Sequence, residues 1–370
     1  MPLLHLDDFR LGAIIGVGTV GTIYDGYVRD DIEVSPAAEA IRDEDLAIKK
    51  LHPSVCTDEL VNSRFRREMT ILERLQHPHI IGYFGGGAVG TELFYVMERL
   101  DGGTIKDYIH EGGPMRWPVV VDVARQVSSA LQCAHNHGVI HRDLKPGNLF
   151  LTRDAQVKLG DFGIARDLHD SDLTEQGLTV GTHAYMAPEQ ITGDRVLSGH
   201  VDLYALGCVL FEMLTKRKVF LGDNFAQLFE QHLKEEPPSV LDFIPDCPPE
   251  LDEVIRQCLA KAPESRPFNA RAVQGVMIQI GERYGLGDDL EDGVAERVAT
   301  PSDPKTQGFK RDVAASEVTL KGRQMLQRQI EARMGGGARP PIDSKRILIV
   351  FVVFLIAIVM SILVASQRGQ

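Results

Sequence analysis

The sequence is poor in the features that define several function classes. Its five cysteines, Cys56, Cys133, Cys208, Cys247 and Cys258, are odd in number and form no CxxC pair. A disulfide scaffold or a zinc ribbon needs paired spacing, so both are excluded, and free thiols in a reducing compartment are expected. One tryptophan and 6 % aromatic residues leave few stacking platforms. Basic charge is in deficit: 52 Asp+Glu against 40 Lys+Arg give −12, whereas a phosphate backbone requires a basic footprint. No nucleic-acid partner is expected. The first residues, MPLLHLDDFR, lack a basic start followed by an apolar run, so no secretory signal is expected. The balance of 44 % hydrophobic and 25 % charged residues excludes a wholly disordered chain and a polytopic membrane protein.

What is present begins with length: 370 residues suggest two domains at roughly 150 residues each. Residues 347–365 (ILIVFVVFLIAIVMSILVA) are an uncharged run with Ser361 as the only polar side chain. At about 1.5 Å per residue such a run matches the roughly 30 Å hydrocarbon core of a bilayer. Lys345 and Arg346 precede it, and only 366–370 follow. The expectation is a C-terminal transmembrane anchor with the bulk of the chain on the cytoplasmic side of the cell membrane and a short external tail. Residues 284–346 read as a juxtamembrane linker. Within it, 301–346 carry ten Lys/Arg against five Asp/Glu, and Lys321 to Met334 can form a short basic helix before Gly335-Gly336-Gly337. The linker is a solvated spacer or a stretch drawn to anionic headgroups.

The texture of the chain changes once before that linker. Up to about Leu100 it favours strands (Arg10–Ile15, Thr22–Val28, Asp45–Lys50, Leu93–Arg99) with one helix near 62–75. After Gly103 helical segments dominate: Trp117–His137, His200–Thr215, Phe225–Lys234, Glu250–Ala260 and Ala270–Tyr284. A small strand-rich lobe (9–100) and a larger helical lobe (101–283) with a cleft between them are expected. Residues 29–45 form a polar insertion, read as a surface loop or a docking site.

The chemistry-bearing residues fall along both lobes. Gly16-Val17-Gly18-Thr19-Val20-Gly21 is followed by the alternating stretch Thr22 to Val28, which reads as a strand. A dinucleotide-binding loop would be followed by a helix, so a glycine loop between two strands, folded over a triphosphate, is expected instead. Ala47-Ile48-Lys49 offers a strand lysine for phosphate oxygens. Glu68, on the first helix, can hold that lysine extended. In His141-Arg142-Asp143-Leu144-Lys145-Pro146-Gly147-Asn148, Asp143 can accept the proton of an attacking hydroxyl. Lys145 can steady the moving phosphoryl group, and Asn148 can offer an oxygen to a divalent metal. A metal cluster of His135, His137 and His141 is the weaker reading, since Gly138 interrupts any shared helix. Asp161-Phe162-Gly163 follows a strand and would hold Mg²⁺ between phosphates. Ala187-Pro188-Glu189 closes a loop carrying Ser171, Thr174, Thr179 and Thr182. Arg142 beside Asp143 can pair with a phosphate placed on that loop.

This ordered set, from Gly16 to Glu189, resembles the eukaryotic-type (Hanks-type) protein kinase family and its bacterial membrane-anchored Ser/Thr branch. The resemblance covers about 9–283. It implies an α+β bilobal kinase fold and a serine/threonine protein kinase that transfers the ATP γ-phosphoryl group to protein hydroxyls. Asp143, Lys145, Lys49 and Glu68 are then catalytic. Ile15, Gly16, Gly18, Gly21, Ile23, Ala47, Lys49, Met97, Glu98, Leu100 and Phe150 are then nucleotide-binding, with Met97 as gatekeeper. Asn148 and Asp161 bind the metal, Mg²⁺ or alternatively Mn²⁺. Leu72, Tyr83, His141 and Phe162 form a stacked spine. Asp202 is the aspartate of the central helix, and Arg266 is the partner of Glu189. Thr174, then Thr179, are the activation-loop phosphorylation candidates, with self-association for phosphorylation in trans. Gly147 stands where basophilic members carry an acid, so no basic-substrate preference is implied. A silent pseudokinase scaffold is the alternative reading. A small-molecule kinase of similar fold is a third, which the long loop ending at Glu189 disfavours.

Overall fold

The computed structural model describes residues 4–18, 21–52, 69, 72, 74–89, 92–162, 183–286 and 320–335. Glu68, Gly163, Thr174, Thr179 and the 347–365 run lie outside these residues. The chain divides into two compact units, 1–330 and 331–370.

The first unit opens with an antiparallel five-stranded sheet in the order β1-β2-β3-β5-β4. Its strands are β1 (Phe9–Val17), β2 (Gly21–Val28), β3 (Leu46–Leu51), β4 (Tyr83–Val89) and β5 (Glu92–Glu98). Between β2 and β3 lies a short helix, α1 (Pro36–Glu39). The period-2 rule explains why the sheet is buried on both faces. On β3 and β5, Ala47, Leu93, Tyr95 and Met97 face the main core. Leu46, Ile48, Phe94 and Val96 face a second cluster with Leu4, Phe9 and Val28. Ala38 of α1 is fully buried in that second cluster, so the 29–45 insertion roofs the back of the sheet. Ser35 caps α1 by accepting from Ala38 N–H (3.3 Å), and Asp8 accepts from the Ser35 hydroxyl (2.7 Å).

The helical part follows: α2 (Ile105–Gly112), α3 (Trp117–Asn136), strands β6 (Leu149–Leu151) and β7 (Val157–Leu159), α4 (Pro188–Ile191), α5 (His200–Thr215), α6 (Phe225–Lys234), α7 (Pro249–Cys258), α8 (Ala270–Arg283) and α9 (Leu320–Gly335). α3 begins with Pro118 in its first turn, where a missing N–H costs nothing. It ends at Gly138, whose φ of 73° suits glycine. α5 is buried almost all round, from Val201 to Leu214, and forms the axis of this lobe. Thr104, Asn224 and Asn269 cap α2, α6 and α8 with side-chain oxygens. The bilobal arrangement expected from the sequence is therefore present.

Two features depart from the sequence reading. β4 carries three consecutive glycines, Gly85 to Gly87, which hide it from a pattern search. Gly86 is required there, because a Cβ would meet the Phe94 carbonyl at 2.5 Å. Second, the helix expected over Lys321–Met334 is present as α9, but it is not a solvated spacer: Leu326 and Ile330 are fully buried in the main core. The compact unit thus extends past 283. Among the described residues no helix is long and apolar enough to cross a membrane.

Candidate functional site

The loop between α3 and β6 is fixed by a buried carboxylate on α5. Asp202 is fully buried and accepts from His141 N–H (2.9 Å), Arg142 N–H (2.8 Å) and the His135 ring (2.7 Å). Arg142 is held in the left-handed region (φ 62°), which a non-glycine residue leaves unless its surroundings over-determine it. Gln190, just after Glu189, supplies a second restraint by donating to Arg142 O (3.1 Å). The His141 ring bonds Gly160 O (3.0 Å) and packs 4.8 Å from the Phe162 ring, joining this loop to the segment after β7. Leu72 and Phe162 lie in the same main core, with Tyr83 packed against it.

On this loop Asp143, Lys145 and Asn148 converge. Lys145 Nζ donates to Asp143 Oδ2 (2.7 Å). Asn148 is 4 % exposed, and its amide nitrogen donates to Asp143 O (2.8 Å) and Oδ2 (3.3 Å). The nitrogen is thereby committed to the loop, and the amide oxygen is directed elsewhere.

Lys49 reaches across from β3 and bonds Asp161 Oδ1 at 2.6 Å. Burial works against the Lys49 charge, but Tyr95 and Asp161 outweigh it and raise its pKa. Burial likewise works against the Asp161 charge, and Lys49, then Lys145 and His141, reverse that and lower its pKa. Both groups are thus held ionised. Asp161 is itself left-handed (φ 50°), a conformation Asp tolerates better than most residues. The expected Lys49–Glu68 pair cannot be placed, because Glu68 lies outside the described residues.

The nucleotide-side residues gather around Lys49. Ala47 pairs with Met97 in the β3–β5 ladder, and both are buried in the main core. Ile15, Ile23, Leu100 and Phe150 are half-buried at its edge. Lys49 is flanked in register by Ile23 on β2 and Tyr95 on β5. Glu98 directs its carboxylate to Lys158 Nζ (2.7 Å) and Gly82 N–H (3.1 Å). The glycine turn is closed by Gly18 N–H donating to Gly21 O (2.9 Å). Its glycines are not equivalent. A Cβ at Gly21 would run into the Lys50 carbonyl oxygen, whereas at Gly16 or Gly18 it would make ordinary contacts (3.4 and 3.6 Å).

Farther out, Glu189 and Arg266 form a buried bidentate pair (2.6 and 2.8 Å). The remaining guanidinium donors go to Ala260 O, His200 O and Lys261 O, so every N–H of a buried cation is used. Sequence reasoning missed Gln190 and also Gln126, whose Oε1 accepts from Val157 N–H (2.8 Å). Neither belongs to a motif, and a lone glutamine on a helix gives no signal.

The donor set suits a hard divalent cation. The Asn148 amide oxygen and the ionised Asp161 carboxylate are oxygen ligands on adjoining segments, and Lys49 engages one carboxylate oxygen only. Two protein oxygens suffice where phosphates complete the shell. The three histidines go separate ways: His135 to Asp202, His137 to Cys133 O, His141 to Gly160 O.

Comparison with known proteins agrees with this geometry. The protein kinase domain model matches residues 9–277. Serine/threonine-protein kinase PknB of Mycolicibacterium smegmatis is 35 % identical over 285 residues, covering 75 % of this chain and 44 % of the relative. The probable PknB of Lactococcus lactis subsp. lactis is 34 % identical over 263 residues, covering 71 % and 40 %. The chain thus spans less than half the length of these curated relatives. Among solved structures, a mutant of the Mycobacterium tuberculosis PknI kinase domain is similar at TM-score 0.55 and 26 % identity, covering 74 % of this chain and 95 % of that one. Rad53 1-466 in complex with AMP-PNP is similar at TM-score 0.58 and 25 % identity, covering 72 % and 64 %. The chain belongs to the protein kinase family.

Proposed function

We propose that the protein transfers the γ-phosphoryl group of ATP to serine and threonine hydroxyls of protein substrates. The observation that carries this is the convergence of Lys49, Asp161, Asp143, Lys145 and Asn148 on one cleft, with both members of the Lys49–Asp161 pair ionised. The similar Rad53 structure in complex with AMP-PNP supports an adenine nucleotide as substrate.

Asn148 and Asp161 would hold Mg²⁺, or Mn²⁺ in its place. When bound, the ion would supply neutralisation of charge on the terminal phosphate oxygens. The chain's own groups do the rest. Ala47, Ile15, Ile23, Leu100 and Phe150 offer apolar surface for adenine, beside Met97 and the backbone of Glu98. Gly16, Gly18 and Gly21 let the β1–β2 turn approach the phosphates. Lys49 holds phosphate oxygens, and Lys145 steadies the group in flight. Asp143 orients the acceptor hydroxyl and takes its proton as the phosphorus–oxygen bond to the leaving nucleotide breaks. Positioning and fixed charge supply most of the rate. Glu68 serves as the second partner of Lys49, and Thr174, then Thr179, are sites of autophosphorylation in trans between self-associating copies. Residues 9–283 are the kinase domain. Residues 347–365 anchor it in the cell membrane as a single-pass helix, with the kinase on the cytoplasmic side.

The test is labelled-ATP incorporation by the full chain and by Lys49→Met, followed by phosphoamino-acid analysis. Phosphoserine or phosphothreonine from wild type and a loss of at least about a hundredfold in Lys49→Met are expected. Equal incorporation by both proteins contradicts the reading. Membrane fractionation of the chain truncated before Lys345 tests the anchor: release into the soluble fraction is expected, and unchanged sedimentation contradicts it.

A further inference from the structure

The kinase-domain match ends at residue 277, yet α9 is built into the helical lobe. Gly322 sets the closest approach: a Cβ there would run into the Pro118 carbonyl at the start of α3 and lie 3.2 Å from Asp122 Cβ. Lys321 N–H donates to Leu286 O (2.8 Å), and Leu326 and Ile330 are fully buried. A glycine at a helix crossing with two buried apolar residues following it is a docking face.

Arg323 lies between those contacts. Its side chain is 18 % exposed, and its Nε is 3.5 Å from Oδ2 of Asp122, which is 1 % exposed. Nε and Nη2 are buried without a hydrogen bond among the described residues, so Asp122, with Asp154 as a second acid acting on Arg323, compensates the charge. Asp122 also accepts from Arg125 (3.2 Å) and Gln126 (2.8 Å). Gln126 in turn accepts from Val157 N–H (2.8 Å), and Val157 O bonds the His79 ring (3.0 Å). Val157 opens β7, and Asp161 follows two residues after β7 ends at Leu159.

We infer that Arg323 is a positioning residue for the reaction: through Asp122 and Gln126 it fixes β7, the strand that presents Asp161. The inference rests on the proposed role of Asp161 in phosphoryl transfer, but its structural half stands apart from that role. A buried carboxylate shared by two cations and an amide has one low-energy arrangement. Removing the outer cation shifts the Asp122 carboxylate toward Arg125 and Gln126, and that displaces Gln126, whose amide oxygen holds the Val157 N–H, from its present position.

The test is hydrogen exchange on the full chain, read on peptides spanning 156–162, together with steady-state phosphotransfer. Arg323→Gln is expected to speed exchange there about tenfold, with peptides of α6 unchanged. It is expected to lower kcat several-fold and leave KM for the protein substrate unaltered, because only the presentation of Asp161 is affected. Arg323→Lys keeps the charge and should restore most of both readouts. Gly322→Val, which lifts α9 while keeping Arg323, should reproduce the Arg323→Gln result, and it carries the test if Arg323→Gln does not fold. Exchange at 156–162 within twofold of wild type in both variants overturns the inference. So does an equal rise in every peptide, which marks a merely structural helix. An absence of phosphotransfer in the wild type overturns the kinase reading and leaves the exchange result to decide the link from Arg323 to β7.

Discussion

The floor and the roof of the cleft are built differently. The floor is the loop 137–148 and the segment after β7. It is tied down by buried side chains whose polar atoms are paired, Asp202 to three donors and His141 to Gly160 O, and the lobe beneath it is braced by Arg266 on four carbonyl or carboxylate groups. The roof is the β1–β2 turn, held by ladder bonds and the Gly18–Gly21 closure, with β1 mostly exposed and its register broken twice. Groups that must keep fixed relative positions during bond making sit where displacement is costly. The part that must admit a nucleotide sits where displacement is cheap.

Breaking this contrast at the floor should be most expensive. Arg266→Ala leaves Glu189 buried and unpaired, so urea unfolding should show a loss of about 3–5 kcal/mol. Asp202→Asn should follow. It keeps the volume but swaps a charged acceptor for a neutral one at three donors, costing about 1–3 kcal/mol and lowering kcat with little change in KM for ATP. At the roof the effects should fall on binding. Gly21→Ala collides with the Lys50 backbone, so β2 and β3 must part locally; it should raise KM for ATP about tenfold and lower the unfolding midpoint by less than Asp202→Asn does. Gly18→Ala meets no obstacle among the described residues, so the activity it loses reports the bound nucleotide. If Gly18→Ala and Gly21→Ala lose stability equally, the roof is not as described.

The smallest effect concerns pH. Burial lowers the His79 pKa to about 3, with Arg125 adding to it, and burial lowers His232 to about 3, with Lys261 adding to it. The unfolded chain binds these protons at ordinary histidine values while the folded chain refuses them. Their stabilisation is therefore complete above about pH 6.5 and is lost as pH falls toward about 3. From pH 7 to pH 6 each should remove about 0.7 kcal/mol. A His232→Asn variant should show a shallower decline of thermal midpoint across that interval, and an identical decline would contradict the assignment.

Much of the architecture is legible in the sequence where one physical requirement acts locally. Thr22 to Val28 alternates because successive side chains of β2, hydrogen-bonded between β1 and β3, point to opposite faces of the sheet. Trp117 to His137 keeps an apolar helical face, and the Asp143-to-Asn148 spacing is dictated by two side chains acting on one centre. What escaped depends on contacts distant in the chain. The Gly85–Gly87 strand is defined by its neighbours Phe94 and Tyr95, not by its own side chains. The 29–45 insertion reads as polar surface because its packing rests on a few scattered small or aliphatic residues, Ala38 fully buried and Val34, Ala37 and Ile41 partly so. Arg323 and Gln126 look like solvated helix residues until Asp122 and Val157 are placed beside them.

The central claim is that Asp143 acts on the acceptor hydroxyl while other groups hold the nucleotide. Phosphotransfer from γ-labelled ATP to a serine/threonine substrate, measured for wild type and Asp143→Asn with ATP binding measured alongside, tests it most directly. The account expects Asp143→Asn to bind ATP like wild type and to lose about 10²–10⁴-fold in kcat. Wild-type turnover in Asp143→Asn would contradict it.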